Sequence, residues 1–266
     1  TRASVAELVL DAGDAMIGAI EGTVLIDVTS LDADGNSLGG RRATFNSLDP
    51  SIATVPDSNS GVVTAVTNGT ATIEVTVEEI TRTISITVDQ VAVVLTILCD
   101  CGLEDDEEEG EGAPIRVAAM GGGTSRSVEG PAPDSIRAIN DEGGTAGWQA
   151  FDANGYEITH KVPTFTSDMP AIMTVDTAGT VEPHGVGRAV LTVEMDGAFD
   201  TIIVYWFALH VGNLDINVQG DLDAVAAAWI GEVTGNINIA GTALTNLNGL
   251  QTIFLVDGSM LMQNNA

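Results

Sequence analysis

Asp32, Asp34 and Asn36 alternate around Gly35, and Asp152 and Asn154 repeat the arrangement around Gly155. Oxygen-bearing side chains at every second position beside a glycine are a means of ligating Ca²⁺, which makes these five residues the candidate metal ligands and Ca²⁺ the one candidate cofactor. Neither stretch goes on to the bidentate glutamate that closes a calcium hand. Asp, Asn and Gly also favour hairpin turns for conformational reasons alone, because Asp and Asn hydrogen-bond the backbone two residues on and glycine accepts positive φ. The hairpin reading is preferred and the Ca²⁺ reading stays open beside it.

Cys99 and Cys101 are the only thiols, in the run Leu98-Cys99-Asp100-Cys101-Gly102. A structural metal site needs four ligands and there is no second pair. Residues i and i+2 of a strand project to one side, so a mutual disulfide, a bridge to another chain and free thiols all remain open. His160, His184 and His210 are far apart in sequence, and none has metalloprotease spacing. There is no G-x-S-x-G elbow, phosphate loop or dinucleotide fingerprint, so the chain is expected not to be an enzyme. Trp148, Trp206 and Trp229 would make a glycan platform only if exposed together; spread over two domains, they read as packing residues.

Thirty-eight acidic residues against 9 basic ones give a net charge of −29, and Lys161 is the sole lysine. Such a chain repels nucleic-acid phosphates and anionic membranes. Its acidity serves solubility, salt adaptation or cation collection. The longest apolar run, Val91 to Leu98, is too short to span a bilayer. Thr1-Arg2-Ala3-Ser4 leads directly into strand-like alternation, so a secreted chain is expected to have lost its leader.

The elements that position these residues come in two copies. Asp32-Ala33-Asp34-Gly35-Asn36 matches Asp152-Ala153-Asn154-Gly155-Tyr156, and Thr44-Phe45-Asn46-Ser47 matches Thr164-Phe165-Thr166-Ser167, both at an offset of 120. Gly61-Val62-Val63 corresponds to Gly179-Thr180-Val181, and Gly69-Thr70-Ala71-Thr72-Ile73 to Gly187-Arg188-Ala189-Val190-Leu191. Ile73, Val75 and Val77 alternate with threonine and glutamate, as do Ile84, Ile86 and Val88 with Ser and Thr, and Leu191, Val193 and Met195 with Val, Thr and Glu. Strict period two predicts antiparallel strands with one buried face. Aromatics at 4% leave the cores to Val, Ile, Leu, Ala and Thr.

The order of a D-x-D/N-G turn, a T-F-x-S…P-x-I-x-T-V stretch, a G-V-V turn and G-T-A-T-I-x-V-T-V resembles the bacterial Ig-like domain of group 2, over roughly 4–88 and 113–207. The second copy departs from that pattern at Gly185-Val186-Gly187-Arg188. The resemblance implies a β-sandwich of the kind found in surface adhesins, cell-wall proteins and phage tails. After Trp206 the pattern changes: Gly212-Asn213-Leu214, Gly235-Asn236-Ile237 and Gly258-Ser259-Met260 recur every 23 residues, with Leu244, Leu247 and Leu250 between the last two. One short strand per period is a solenoid signature, and the segment resembles leucine-rich or receptor-L-type repeats of secreted bacterial proteins.

The expected fold is all-β: an Ig-like sandwich over 1–90, a strand and acidic linker with the two cysteines over 91–112, a second sandwich over 113–207, and the first coils of a solenoid over 208–266. The expected function is non-enzymatic and extracellular, as spacer or subunit of an adhesive or fibrous surface or virion assembly. The alternatives are a carbohydrate- or protein-binding module, or the non-catalytic part of a larger secreted enzyme. Expected partners are further copies, neighbouring surface proteins or glycans. The expected assembly residues are Val5, Leu8 and Leu10 on a first strand suited to strand addition, and Leu255, Met260 and Met262 at an uncapped solenoid end, beyond which the natural chain is expected to continue.

Overall fold

The computed structural model describes residues 3–100, 135–139, 143–240 and 244–263. Cys101 and the acidic run at 104–112 lie outside them. The described chain is mostly β-strand. It separates into two compact units, Thr1–Val94 with Ala150–Lys161, and Leu95–Gln149 with Val162–Ala266.

The first unit holds β1 (Glu7–Asp11), β2 (Met16–Ile17), β3 (Thr23–Leu25), β4 (Asp27–Leu31), β5 (Ala43–Ser47), β6 (Ala53–Thr54), β7 (Val62–Ala65), β8 (Gly69–Val77) and β9 (Ile80–Val88). They form sheets in the orders β2-β9-β8-β5, β3-β7-β6 and β1-β4. The β-branched alternation of β8 and β9 gives a continuous antiparallel register from Gly69↔Val88 to Val77↔Ile80, closed by a two-residue turn at Glu78 (φ 57) and Glu79. Ile73 and Val75 are fully buried, while Thr72 and Thr76 on the other face are half-buried. Their inner faces meet Ala53, Val63 and Ala65 from the β3-β7-β6 sheet in one core.

Gly61 has a positive φ of 70°, and a Cβ there would stand 2.8 Å from the Ile26 carbonyl oxygen, so the repeated glycine is required by a close strand approach. Gly179, its counterpart, has φ +87° and lies against the Ala146 carbonyl in the same way.

The second unit continues with β10 (Val94–Asp100), β11 (Ser135–Ile139), β12 (Gly144–Phe151), β13 (Thr164–Ser167), β14 (Met173–Val175), β15 (Thr180–Pro183), β16 (Gly187–Met195) and β17 (Ala198–His210). One sheet has the order β10-β12-β15-β14, and β13, β16 and β17 lie side by side in another. The β16–β17 hairpin repeats the register and turn of β8–β9, with Asp196 (φ 53) and Gly197 at the tip. A parallel pairing recurs as well, β2 with β9 and β11 with β17.

This division differs from the boundaries expected from sequence. Val94–Asp100, expected in a linker, is a strand of the second unit's sheet, and Ala150–Lys161, from the second sequence repeat, groups with the first unit. A run of like charges reveals solvation but not whether it joins two domains or interrupts one.

Beyond β17 come β18 (Leu214–Ile216), helix α1 (Gln219–Ala227), β19 (Ile230–Val233), β20 (Ile237–Ile239), a 3₁₀ turn (Asn248–Thr252), β21 (Leu255–Val256) and β22 (Met260–Met262). Two parallel ladders result, β18-β20-β22 and β17-β19-β21, around a core of Leu214, Ile216, Leu222, Val225, Val233, Ile237 and Ile239. Sequence reading did not anticipate α1. Val218 at its start has no oxygen to cap it, and Asp221 reaches back to accept the Asn217 and Val218 N–H groups at 2.8 and 3.0 Å.

Candidate functional site

The densest polar cluster lies in the first unit around Asp152, which is 2% exposed. Its Oδ1 accepts the backbone N–H of Asn154 at 2.9 Å and of Tyr156 at 3.0 Å, the bonds of an Asx turn. Its Oδ2 accepts Ile20 N–H at 2.9 Å and Gln90 Nε2 at 2.9 Å. Asn154 Nδ2 donates to the Ile20 carbonyl at 2.7 Å. Gln90, 4% exposed, receives Asn68 Nδ2 on its Oε1 at 2.7 Å and donates its backbone N–H to Asn68 Oδ1 at 2.9 Å. Burial pushes the Asp152 carboxyl up, but the N–H of Ile20, the Gln90 amide and the turn N–H groups outweigh it and hold the group below the usual carboxylate range.

Asp32 is the same turn at the other repeat. Its Oδ1 accepts Asp34 N–H and Asn36 N–H, both at 2.9 Å, and its Oδ2 takes Asn36 Nδ2 at 3.2 Å. The Asn36 N–H chiefly lowers its pKa. Asp34 and Asn36 are exposed. The structure therefore brings the five Ca²⁺ candidates into two hairpin turns in which carboxylate oxygens face N–H donors. Among the described residues no three His, Cys, Asp or Glu side chains converge to hold a metal.

Beside Asp152, His160 Nε2 and Lys161 Nζ each approach Asp89 Oδ1 to 3.2 Å, and His160 Nδ1 lies 3.1 Å from Asn68 Nδ2. The His160 hydrogen bond and the Lys161 ammonium keep Asp89 below the usual carboxylate range. A cleft of about 420 Å³ nearby is lined by Met16, Ile17, Thr23, Val91, Val93 and Asn154, and its lining side chains include the Thr23 hydroxyl but no carboxylate, histidine or lysine. His184 bonds Thr174 Oγ1 at 2.8 Å and His210 the Asn213 carbonyl at 3.2 Å, so the three histidines serve separate local contacts. Trp206 is fully buried and Trp229 packs on Phe207 at 5.7 Å, which rules out a platform shared by all three tryptophans. Cys99 is disulfide-bonded.

The expected assembly residues divide. β1 pairs with β4, and Val5 and Leu8 are buried against Val77, so that strand is engaged inside its own unit, with Leu10 packed against it. Met260 and Met262 are each 49% exposed on β22.

Sequence reasoning missed Ile20, Gln90 and Asn68, which carry no motif. It also missed a side-chain ladder legible in the 23-residue spacing: Asn213 Oδ1 accepts Asn236 N–H at 2.9 Å, and Asn236 Oδ1 accepts Ser259 N–H at 2.8 Å.

A family model for the bacterial Ig-like domain matches residues 41–90, spanning β5 to β9. No curated protein matches the chain. Among solved structures, domains 1–6 of the surface layer protein SbsC are similar at 22% identity over 78% of this chain and 28% of that one, with a TM-score of 0.30. The C-terminal fragment of intimin, solved with the intimin-binding domain of the translocated intimin receptor, is similar at 16% identity over 76% of this chain and 64% of that one, TM-score 0.39. The adhesin InvE of Yersinia pseudotuberculosis follows at 15% identity, 75% and 58%, TM-score 0.37. The chain spans less than two thirds of each of these three.

Proposed function

We propose that this chain is a non-catalytic, extracellular surface protein in which two Ig-like sandwiches carry the opening coils of a solenoid, as spacer or subunit of an adhesive or fibrous assembly. One observation carries the reading. The best-organised polar cluster, around Asp152, directs its carboxylate at backbone and amide N–H groups, so it holds chain segments together. The bacterial Ig-like match over 41–90 supports the same class. The net charge of −29 suits a solvated surface position and keeps nucleic acid away.

Antibody raised against the chain should label intact, unpermeabilised cells or assembled particles of the source. External protease should remove the signal while cytoplasmic markers survive. Labelling that appears only after permeabilisation would sink the proposal.

A further inference from the structure

In the first unit, β3 and β4 follow each other directly but have different neighbours: β3 pairs with β7, and β4 with β1. Ala65 N–H donates to the Gly22 carbonyl at 2.9 Å, Ile26 N–H to the Gly61 carbonyl at 2.9 Å and Leu38 N–H to the Ser30 carbonyl at 2.8 Å. The even-numbered residues therefore turn their backbone groups to one side. Those of the odd-numbered residues point the other way, because successive residues of a strand alternate in this respect. On the odd side β1 covers Asp27, Thr29 and Leu31, in register with Asp11, Val9 and Glu7. Leu25 and Thr23 come next in line, and no strand pairs with them on that side among the described residues.

The edge is open because the chain is diverted. Continued in register, β1 would set Gly13 opposite Leu25 and Ala15 opposite Thr23. Both residues are instead left-handed, at φ 59° and 51°, and the Ala15 N–H turns back to the Ala12 carbonyl at 3.1 Å. The chain crosses to β9, where the Ala15 carbonyl accepts the Thr87 N–H at 2.9 Å. The left-handed region is unfavourable for alanine, so the unit keeps this edge vacant against a local cost.

The vacated edge adjoins the cleft, whose lining includes Thr23 with Met16, Ile17, Val91 and Val93. Leu25 is 51% exposed, Met16 48% and Val93 51%, so apolar side chains stand uncovered where four backbone groups lack a strand partner. The surrounding charge has one sign. Residues 11–27 carry Asp11, Asp14, Glu21 and Asp27, all exposed, and no lysine, arginine or histidine.

We propose that the β3 edge is a strand-addition site for an extended cationic segment of a partner protein. The segment runs antiparallel to β3 in the line that β1 vacates, and two of its residues exchange backbone hydrogen bonds with Thr23 and Leu25. Val24 packs against the core, and directly opposed residues share a face, so the residue opposite Val24 turns an apolar side chain inward beside the cleft. Lysine or arginine on either side of it meets the acidic rim. A second copy of a chain with net charge −29 is repelled from the same place.

The capped peptide Lys-Lys-Thr-Val-Thr-Lys-Lys, titrated into the whole isotope-labelled chain and followed by amide NMR at low and high NaCl, tests this. The expected result is saturable shifts centred on Thr23 to Leu25, slower amide exchange at those two residues, and binding that weakens as salt rises. The same peptide with glutamate at every lysine should not bind. Leu25→Pro removes an outward N–H that no internal bond uses, so it should abolish binding while far-UV circular dichroism stays unchanged. Val93→Lys leaves the backbone alone and sets an ammonium group in the cleft, which should weaken binding about tenfold. Leu48→Lys, at an exposed position beyond β5, should bind as the parent does. No shift up to millimolar peptide, binding of the glutamate peptide, indifference to salt, or full binding by Val93→Lys would each overturn the proposal. Shifts at Thr23 and Leu25 that grow with protein concentration alone would assign the edge to a second copy and overturn it as well. None of those results bears on surface labelling of intact cells, so the broader functional reading fails or survives separately.

Discussion

Gln90 Nε2 donates to Asp152 Oδ2 at 2.9 Å between two residues that are 4% and 2% exposed and lie 62 positions apart. The same carboxylate oxygen takes the Ile20 N–H, so segments around residues 20, 90 and 152 meet at one atom. Asp32, built into the same turn, makes no such long-range bond among the described contacts and stays at the surface. One motif therefore has two roles, fixed by what packs over it.

Asp152→Ala should destabilise the first unit by about 2–4 kcal/mol, because it strands the Ile20 N–H and the Gln90 amide without an acceptor. Amide hydrogen exchange at Ile20 should accelerate in the variant. Asp32→Ala should leave that amide protected. Equal exchange in parent and Asp152→Ala would contradict the hub.

Asp152, Asp32, Asp89, Asp176 and Asp221 all have pKa values held below the ordinary carboxylate range. A depressed folded-state pKa contributes stability that is complete above the unfolded value, about 3.9, and disappears as pH falls through the folded one. Melting temperature should therefore drop below about pH 4. Asp152→Asn should begin from a lower melting temperature and fall less steeply in acid.

Val75→Asp and Val193→Asp place a carboxylate where the parent side chains are fully buried, and each should cost roughly 4 kcal/mol. Thr76→Asp, on the half-buried face beside Thr81, should cost less than about 1 kcal/mol. Urea denaturation followed by far-UV circular dichroism would rank them. Similar losses at Val75 and Thr76 would invert the face assignment.

NaCl should raise thermal stability by screening 38 acidic side chains. CaCl₂ at matched ionic strength should add nothing further, since the carboxylates of Asp32 and Asp152 already face N–H donors. A gain specific to calcium that disappears in Asp32→Ala would place a cation site at that turn.

Gly235→Ala should disrupt the parallel ladder. A Cβ there would stand 2.6 Å from the Gly212 carbonyl carbon and 2.7 Å from Asn213 Oδ1, so the coils cannot keep their spacing. The signature is faster amide exchange at Leu214 and Ile237, with the β8–β9 hairpin unaffected.

The alternation of Ile73, Val75 and Val77 identified a strand and its buried face without any structure, because period two is a property of the backbone itself. The 120-residue repeat and the 23-residue repeat were legible for a related reason: each unit is specified by its own local pattern. The fate of Asp152 was not legible, nor were the roles of Gln90 and Ile20, nor the place of Val94–Asp100 in the second unit's sheet. Those depend on which distant backbone groups reach a given carboxylate and which strand pairs with which. Sequence determined which residues form strands and turns; only the tertiary structure decided which turn is buried and which strands pair, since burial and pairing are relations between segments far apart in the chain.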